Sequence, residues 1–318
     1  MRYRRNMPFG ISTHIFLPER LNPGHLDSLH HAGAESIEVF ASRHHFDYTL
    51  RNAVRELSIW FRANPVAATM HMPIFTESEE TQWSRHTEPT LNLVSRNKSE
   101  RILAMDEVKR ALEAAEQIPF RSCVLHLGLK DDRWSTETLD LSLTAIEHLK
   151  AFAAPLGVQL LLENIQNDLA TPAHLVEITR VGHFDTVGFC LDVGHAHLAL
   201  PMLPDETGYD RSAREQLRER WGDAALKDAI PEAFEILSSR LIELHLHDNN
   251  GTRDEHLWPA EATAGKGIDW GLVRSALSHR NYLTANTLEI AYDPTTPPRE
   301  ISRKAAVARR LIETSETT

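Results

Sequence analysis

Cysteine is nearly absent: among 318 residues, only Cys123 and Cys190 carry thiols. Each lies inside an apolar run, SCVLHLG or GFCLDVGH, which fits a small buried hydrophobe in a reduced compartment better than a redox pair. Long hydrophobic runs are missing as well, and no uninterrupted apolar stretch reaches the roughly 20 residues of a membrane-spanning helix. The chain opens on the basic MRYRRNMPFG with no sustained apolar segment behind it, so the expectation is no signal peptide, no membrane partner and a cytoplasmic location. Positive charge is in deficit, with 34 Lys plus Arg against 45 Asp plus Glu and a net charge of -11. Phosphate backbones need local positive potential, so this balance weighs against a nucleic-acid partner. Internal repeats, low-complexity tracts and linkers are also lacking, and the expectation is one domain over residues 1–318 with a disordered tail at about 313–318.

Hydrophobic and charged contents of 42% and 25% are those of a globular protein. Short Val/Ile/Leu/Phe-rich runs occur at residues 9–16, 36–40, 66–72, 122–128, 158–164, 187–193, 241–247 and 287–291. Helix-period segments separate them, clearest at 22–32, 48–64, 99–118, 136–155 and 172–181. Such alternation, with strands apolar on both faces, predicts a parallel sheet covered by helices. Eight units in this length predict a closed (β/α)₈ barrel, an α/β fold whose chemistry sits at the C-terminal ends of its strands. Two connections are overlong, residues 76–98 and 201–234, and both leave from that face. The second reads equally as a cover over the site, a solvated helical excursion or a contact between copies in a homo-oligomer.

Histidine is plentiful, at 18 residues, and several histidines close the apolar runs. The run ends carry His71, His126, Glu163, Asp192 with His195, His245 with His247, and Glu289. Desolvating a carboxylate or imidazole is costly without a partner, and in a barrel all these ends open on one side. Singly, each has an ordinary reading as a hydrogen-bonded interior histidine, a helix cap or an ion pair. Together they would leave several desolvated charges in one mouth, and a divalent metal is the partner that resolves this. Carboxylates with imidazoles suit Mn²⁺, Zn²⁺, Co²⁺ or Fe²⁺.

The segments LLEN (161–164), CLDVGHAH (190–197), HLHDNNGTRDEH (245–256), GKGIDW (265–270) and LEI (288–290) give the chain a clear likeness. It resembles the xylose isomerase-like TIM barrels, from first strand to last helix. That group includes sugar isomerases and epimerases, inosose and dehydroshikimate dehydratases, and the endonuclease IV proteins. In the isomerase and epimerase branch the resemblance implies one metal on Glu163, Asp192, His245 and Glu289. Glu163 and Glu289 would move the proton through a metal-stabilised enediolate, and His195 would orient the substrate. His71, His126, His247, Trp258 and Lys266 would contact a ketose or polyol-like small molecule. Lys266 departs from many relatives, which carry Glu between those glycines. The endonuclease IV branch implies up to three zincs, whose ligand set fits His71, His126, Glu163, Asp192, His195, His245, Asp254, His256 and Glu289. The leading expectation is therefore a sugar isomerase or epimerase. The alternatives are a lyase or dehydratase on a related hydroxylated substrate, and a zinc phosphodiesterase.

Overall fold

In the computed structural model, which describes residues 8–76, 87–198, 229–278 and 285–313, eight parallel strands close into a barrel in sequential order. The strands are β1 Phe9–Ser12, β2 Ser36–Phe40, β3 Ala67–His71, β4 Phe120–Leu125, β5 Gln159–Glu163, β6 Gly188–Asp192, β7 Leu241–Leu246 and β8 Ala285–Leu288. Strand β8 pairs back onto β1 through Gly10 opposite Thr287. A Cβ on Gly10 would come within 2.7 Å of the Thr287 hydroxyl oxygen, so glycine permits this closure. The described helices are α1 Pro23–His31, α2 Arg51–Ala63, α3 Lys98–Leu112, α4 Thr136–Ala153, α5 Pro172–Val181, α6 Val193–Leu198, α7 Ala229–Ile236, α8 Trp270–Ser278 and α9 Pro298–Ile312.

Local chemistry sets the helix starts. Asn22, Asn97, Ser135 and Thr171 each accept a hydrogen bond from the first turn of the helix that follows, a cap worth about 1 kcal/mol. Leu26, Leu29, Val54, Leu57, Val108, Ile146, Leu149, Leu175 and Ile178 bury the inner helix faces against the strands. At α3 a buried carboxylate joins the outer layer: Glu107 accepts from Arg43 at 2.5 and 2.6 Å, Tyr48 at 2.6 Å and Arg110 at 2.9 Å.

Two boundaries depart from the sequence expectation. The first strand ends at Ser12, and Thr13–Phe16 forms a 3-10 turn instead. The Ser12 hydroxyl accepts from the His14 N–H at 3.2 Å and so caps that turn. The last strand runs over Ala285–Leu288, so Glu289 lies one residue beyond it. Cys123 and Cys190 are buried free thiols. None of the described helices is long and apolar enough to cross a membrane.

Candidate metal centre and active site

Parallel register gathers the polar run ends. His71, Glu163 and Asp192 are the last residues of β3, β5 and β6, and His126 and His247 follow β4 and β7 directly. Asp192 stands across from His245, and Glu163 across from Cys190 two residues earlier on β6. The chain then turns into α6, where the Asp192 Oδ1 accepts from the His195 N–H at 2.7 Å and the imidazole swings inward. Gly194 makes the turn feasible, because a Cβ there would fall 2.0 Å from the His247 ring.

Asp254 and His256 come from the loop after β7. Asp248 anchors this loop, accepting from the N–H groups of Asn249, Ala260 and Ile268 and from the Trp270 indole at 2.9–3.1 Å. His256 adopts a left-handed φ of 46°, a strained conformation for a non-glycine residue. That turn carries its Nδ1–H to the Glu289 carbonyl at 2.8 Å.

The anchoring of the rings determines which nitrogen each one offers. A carbonyl can only accept, so the imidazole nitrogen facing it carries the proton. His71 donates from Nδ1 to the Met72 carbonyl at 2.8 Å, His195 to that of Asn164 at 2.9 Å, and His14 to that of Ile290 at 3.0 Å. His245 is held the other way round, with Nε2 at 3.0 Å from Glu38 Oε2. Each remaining nitrogen is left to face the mouth. His71 Nε2 lies 3.1 Å from His126 Nε2, which is 2.9 Å from Glu163 Oε2. His245 Nδ1 lies 3.1 Å from Glu163 Oε1 and 3.2 Å from Glu289 Oε2. Asp254 Oδ2 sits 3.0 Å from His195 Nε2 and 3.2 Å from His256 Nε2, and His247 Nε2 is 3.1 Å from Asp192 Oδ2.

Three of the ligand sets among the described residues are His71, His126 and Glu163; Glu163, Asp192, His245 and Glu289; and His195, His247, Asp254 and His256. Within each set the candidate ligand atoms lie within 4.8 Å of one another. Among the described residues, the ion pairs of these four carboxylates all come from histidines. Oriented imidazole lone pairs facing the buried Glu163, Asp192 and Glu289 and the exposed Asp254 need a proton or a cation between them, and this donor set fits a divalent ion.

Protonation follows the same pattern. Burial is the largest influence on these groups and opposes charge, yet Glu163 and Glu289 are held well below the usual carboxylate range. Neighbouring His245 does this in both, helped by His126 at Glu163 and His256 at Glu289. Asp254 is likewise depressed by His256 and His195. Burial works against charge on His195 and His256 too, but Asp192 and Asp254 raise His195 well above normal, and Asp254 with Glu289 lifts His256 to about 10. His71 is raised despite burial by Glu163 and Glu38, whereas burial wins at His126, whose pKa falls. Without an ion, protons on His71, His195, His245 and His256, all raised in part by these carboxylates despite burial, would take the place of a cation.

The residues singled out in the sequence are thus brought together, with two exceptions. Lys266 is exposed, and its carbonyl accepts from His197 at 2.8 Å. Trp258 is buried and lines a separate cavity of about 200 Å³ between the β1–α1 and β8–α9 loops, with Phe16, His25 and Tyr292. Of the two long connections, residues 77–86 and 199–228 lie outside the described residues, as does the tail 314–318. Three residues join the mouth that sequence reasoning passed over. His14 gathers with His256 and Glu289, and burial with the neighbouring His256 lowers its pKa to about 4. Glu38 and Glu243 lie beneath the site inside the barrel, both fully buried. Burial, with Glu38 nearby, lifts Glu243 to about 7, and Thr287, Thr69 and Ser122 donate hydroxyls to it at 2.9–3.2 Å. A signal existed: in SIEVF and LIELHLH each glutamate interrupts an apolar run, and Glu243 shares strand parity with His245 and His247.

A family model described as xylose isomerase-like TIM barrel matches residues 26–311. The uncharacterized protein MJ1311 of Methanocaldococcus jannaschii is 25% identical over 259 residues, 79% of this chain and 74% of that protein. Among solved structures, a D-tagatose 3-epimerase-like protein superimposes with a TM-score of 0.68 at 21% identity, covering 96% of this chain and 97% of that one. The IOLI protein, solved with a bound zinc atom, gives 0.69 at 16% identity over 98% and 100% of the two chains. At these identities the structural likeness establishes the fold alone.

Proposed function

Since this chain belongs to the xylose isomerase-like TIM barrels, we propose that it is a divalent-metal-dependent isomerase or epimerase acting on a sugar- or polyol-like small molecule. The observation that carries this is the convergence of Glu163, Asp192, His245 and Glu289, with ligand atoms within 4.8 Å of one another. These four would hold the ion, whose donor set suits Mn²⁺, Zn²⁺, Co²⁺ or Fe²⁺. Bound there, such an ion supplies Lewis-acid polarisation of a carbonyl and its neighbouring hydroxyl, lowering the cost of an enediolate.

The protein's own groups handle the proton. Glu163 and Glu289 are carboxylates, ordinarily ionised at neutral pH, so either can act as a base. One takes the proton from the carbon beside the carbonyl, and the other returns one to the opposite face. His195, anchored through Nδ1 on the Asn164 carbonyl, orients the substrate oxygens. His71, His126 and His247 contact hydroxyls on the adjoining walls. The test is exchange in deuterium oxide across a panel of ketoses and inososes with the metal-replete enzyme. Deuterium should enter a recovered sugar beside its carbonyl, and no exchange across the panel would sink this reading.

A second reading, hydrolysis of a phosphoester, rests on the two flanking ligand sets. Glu163 Oε2 also faces His126 and His71, at 2.9 and 3.5 Å, while Asp254 gathers His195 and His256. Elemental analysis separates the two readings. About one ion per chain supports the isomerase, whereas about three, with turnover of a nitrophenyl phosphodiester, supports the hydrolase.

A further inference from the structure

Glu38 sits at the centre of β2 with none of its surface exposed. One carboxylate oxygen meets His245 Nε2 at 3.0 Å, and the other is buried without a hydrogen-bond partner. A carboxylate so poorly satisfied is costly to bury and contributes nothing obvious to the core. Glu243, one layer away, makes the contrast: three hydroxyls donate to it. What Glu38 has instead is control over one imidazole.

His245 has two arrangements of its last proton. With the proton on Nε2, directed at Glu38, the Nδ1 lone pair is presented between Glu163 Oε1 and Glu289 Oε2, at 3.1 and 3.2 Å. With the proton on Nδ1, the ring would donate to those same two carboxylates and close the centre with hydrogen bonds. We propose that Glu38 is a positioning residue that fixes His245 in the first arrangement and so keeps Nδ1 available as a metal ligand. The main-chain carbonyls behind His71, His195 and His256 play the corresponding part for their rings. A carboxylate does this for His245 alone among the four, and also makes that ring the more basic ligand. This inference rests on the metal-centre reading but not on which reaction the centre performs.

The test is binding of Zn²⁺ and Co²⁺ by chelator competition, with the melting temperature of each metal-free protein measured alongside. Wild type, Glu38→Gln and Glu38→Ala are compared. Glu38→Ala should bind about 10- to 100-fold more weakly and show altered Co²⁺ ligand-field bands. Glu38→Gln should recover part of the affinity, because its amide oxygen still accepts from Nε2–H; if the alanine variant does not fold, a loss of affinity in Glu38→Gln supports the inference in its place. Wild-type affinity in the folded variants, or a lower melting temperature without weaker binding, would overturn the inference. Wild-type protein that binds neither ion would instead overturn the metal-centre reading on which it rests.

Discussion

Two buried carboxylate sites in this molecule use different partners. Behind α3, Glu107 is held by Arg43, Tyr48 and Arg110, and against burial these lower its pKa. Guanidinium stays charged at any ordinary pH, so this site is closed: nothing can replace the cation. In the barrel mouth, the ion pairs of Glu163, Glu289 and Asp254 among the described residues are all with imidazoles. An imidazolium can surrender its proton and present a lone pair, so the same charge balance survives when a metal enters. The outer site is built to be permanent and the mouth to be exchanged.

Substitution at Glu163 is expected to have the largest effect, because its two oxygens belong to different ligand sets. Glu163→Gln should lower turnover about 10³-fold and reduce the bound metal, as read by kinetics and elemental analysis. Chelation is next. Removing the metal should abolish activity and lower the melting temperature, and restoring an ion at 100 times its Kd should add about 2.7 kcal/mol. Glu107→Gln is the opposite probe. It should cost about 1.5–3 kcal/mol in denaturant unfolding and leave metal affinity unchanged; a loss of affinity would dissolve the contrast.

Chemistry that coincides with strand ends was legible in the sequence. A carboxylate or imidazole closing an apolar run is conspicuous, whereas the pairing of Asp192 with His245 depends on a register shift between Phe189 and Cys190 that the run ends do not announce. Glu38 and Glu243 were less conspicuous because they lie inside the runs; shared parity with His245 and His247 marks the face of Glu243, whereas no strand-end ligand on β2 does the same for Glu38. Lys266 was expected at the substrate from its place in a motif, although the lysine side chain is exposed. Position in a motif carries no information about side-chain direction.

A pH dependence is expected from His256, raised to about 10 as Asp254 and Glu289 overcome burial. Its pKa when unfolded is about 6.5. Its contribution to the stability of metal-free protein is thus fully present below about pH 6.5 and lost as pH rises through about 10. Melting curves of metal-free protein should show that decline, and saturating metal should flatten it. The smallest effect is expected from Lys266→Ala. An exposed ammonium is worth at most about 1 kcal/mol, roughly a fivefold change in KM, with metal content untouched.

Asp248 gives the loop after β7 a mechanical character of its own. Four hydrogen bonds to one carboxylate hold the stretch from Asn249 to Trp270, and Gly267 packs so close that a Cβ would meet that carboxylate at 2.9 Å. GKGIDW is thus a latch for the loop, and the loop is a cartridge: Asp254 and His256 arrive together, on a part separate from the barrel strands. Refitting that cartridge would leave the strand-borne Glu163, Asp192 and His245 in place while removing the His256 contact at the Glu289 carbonyl.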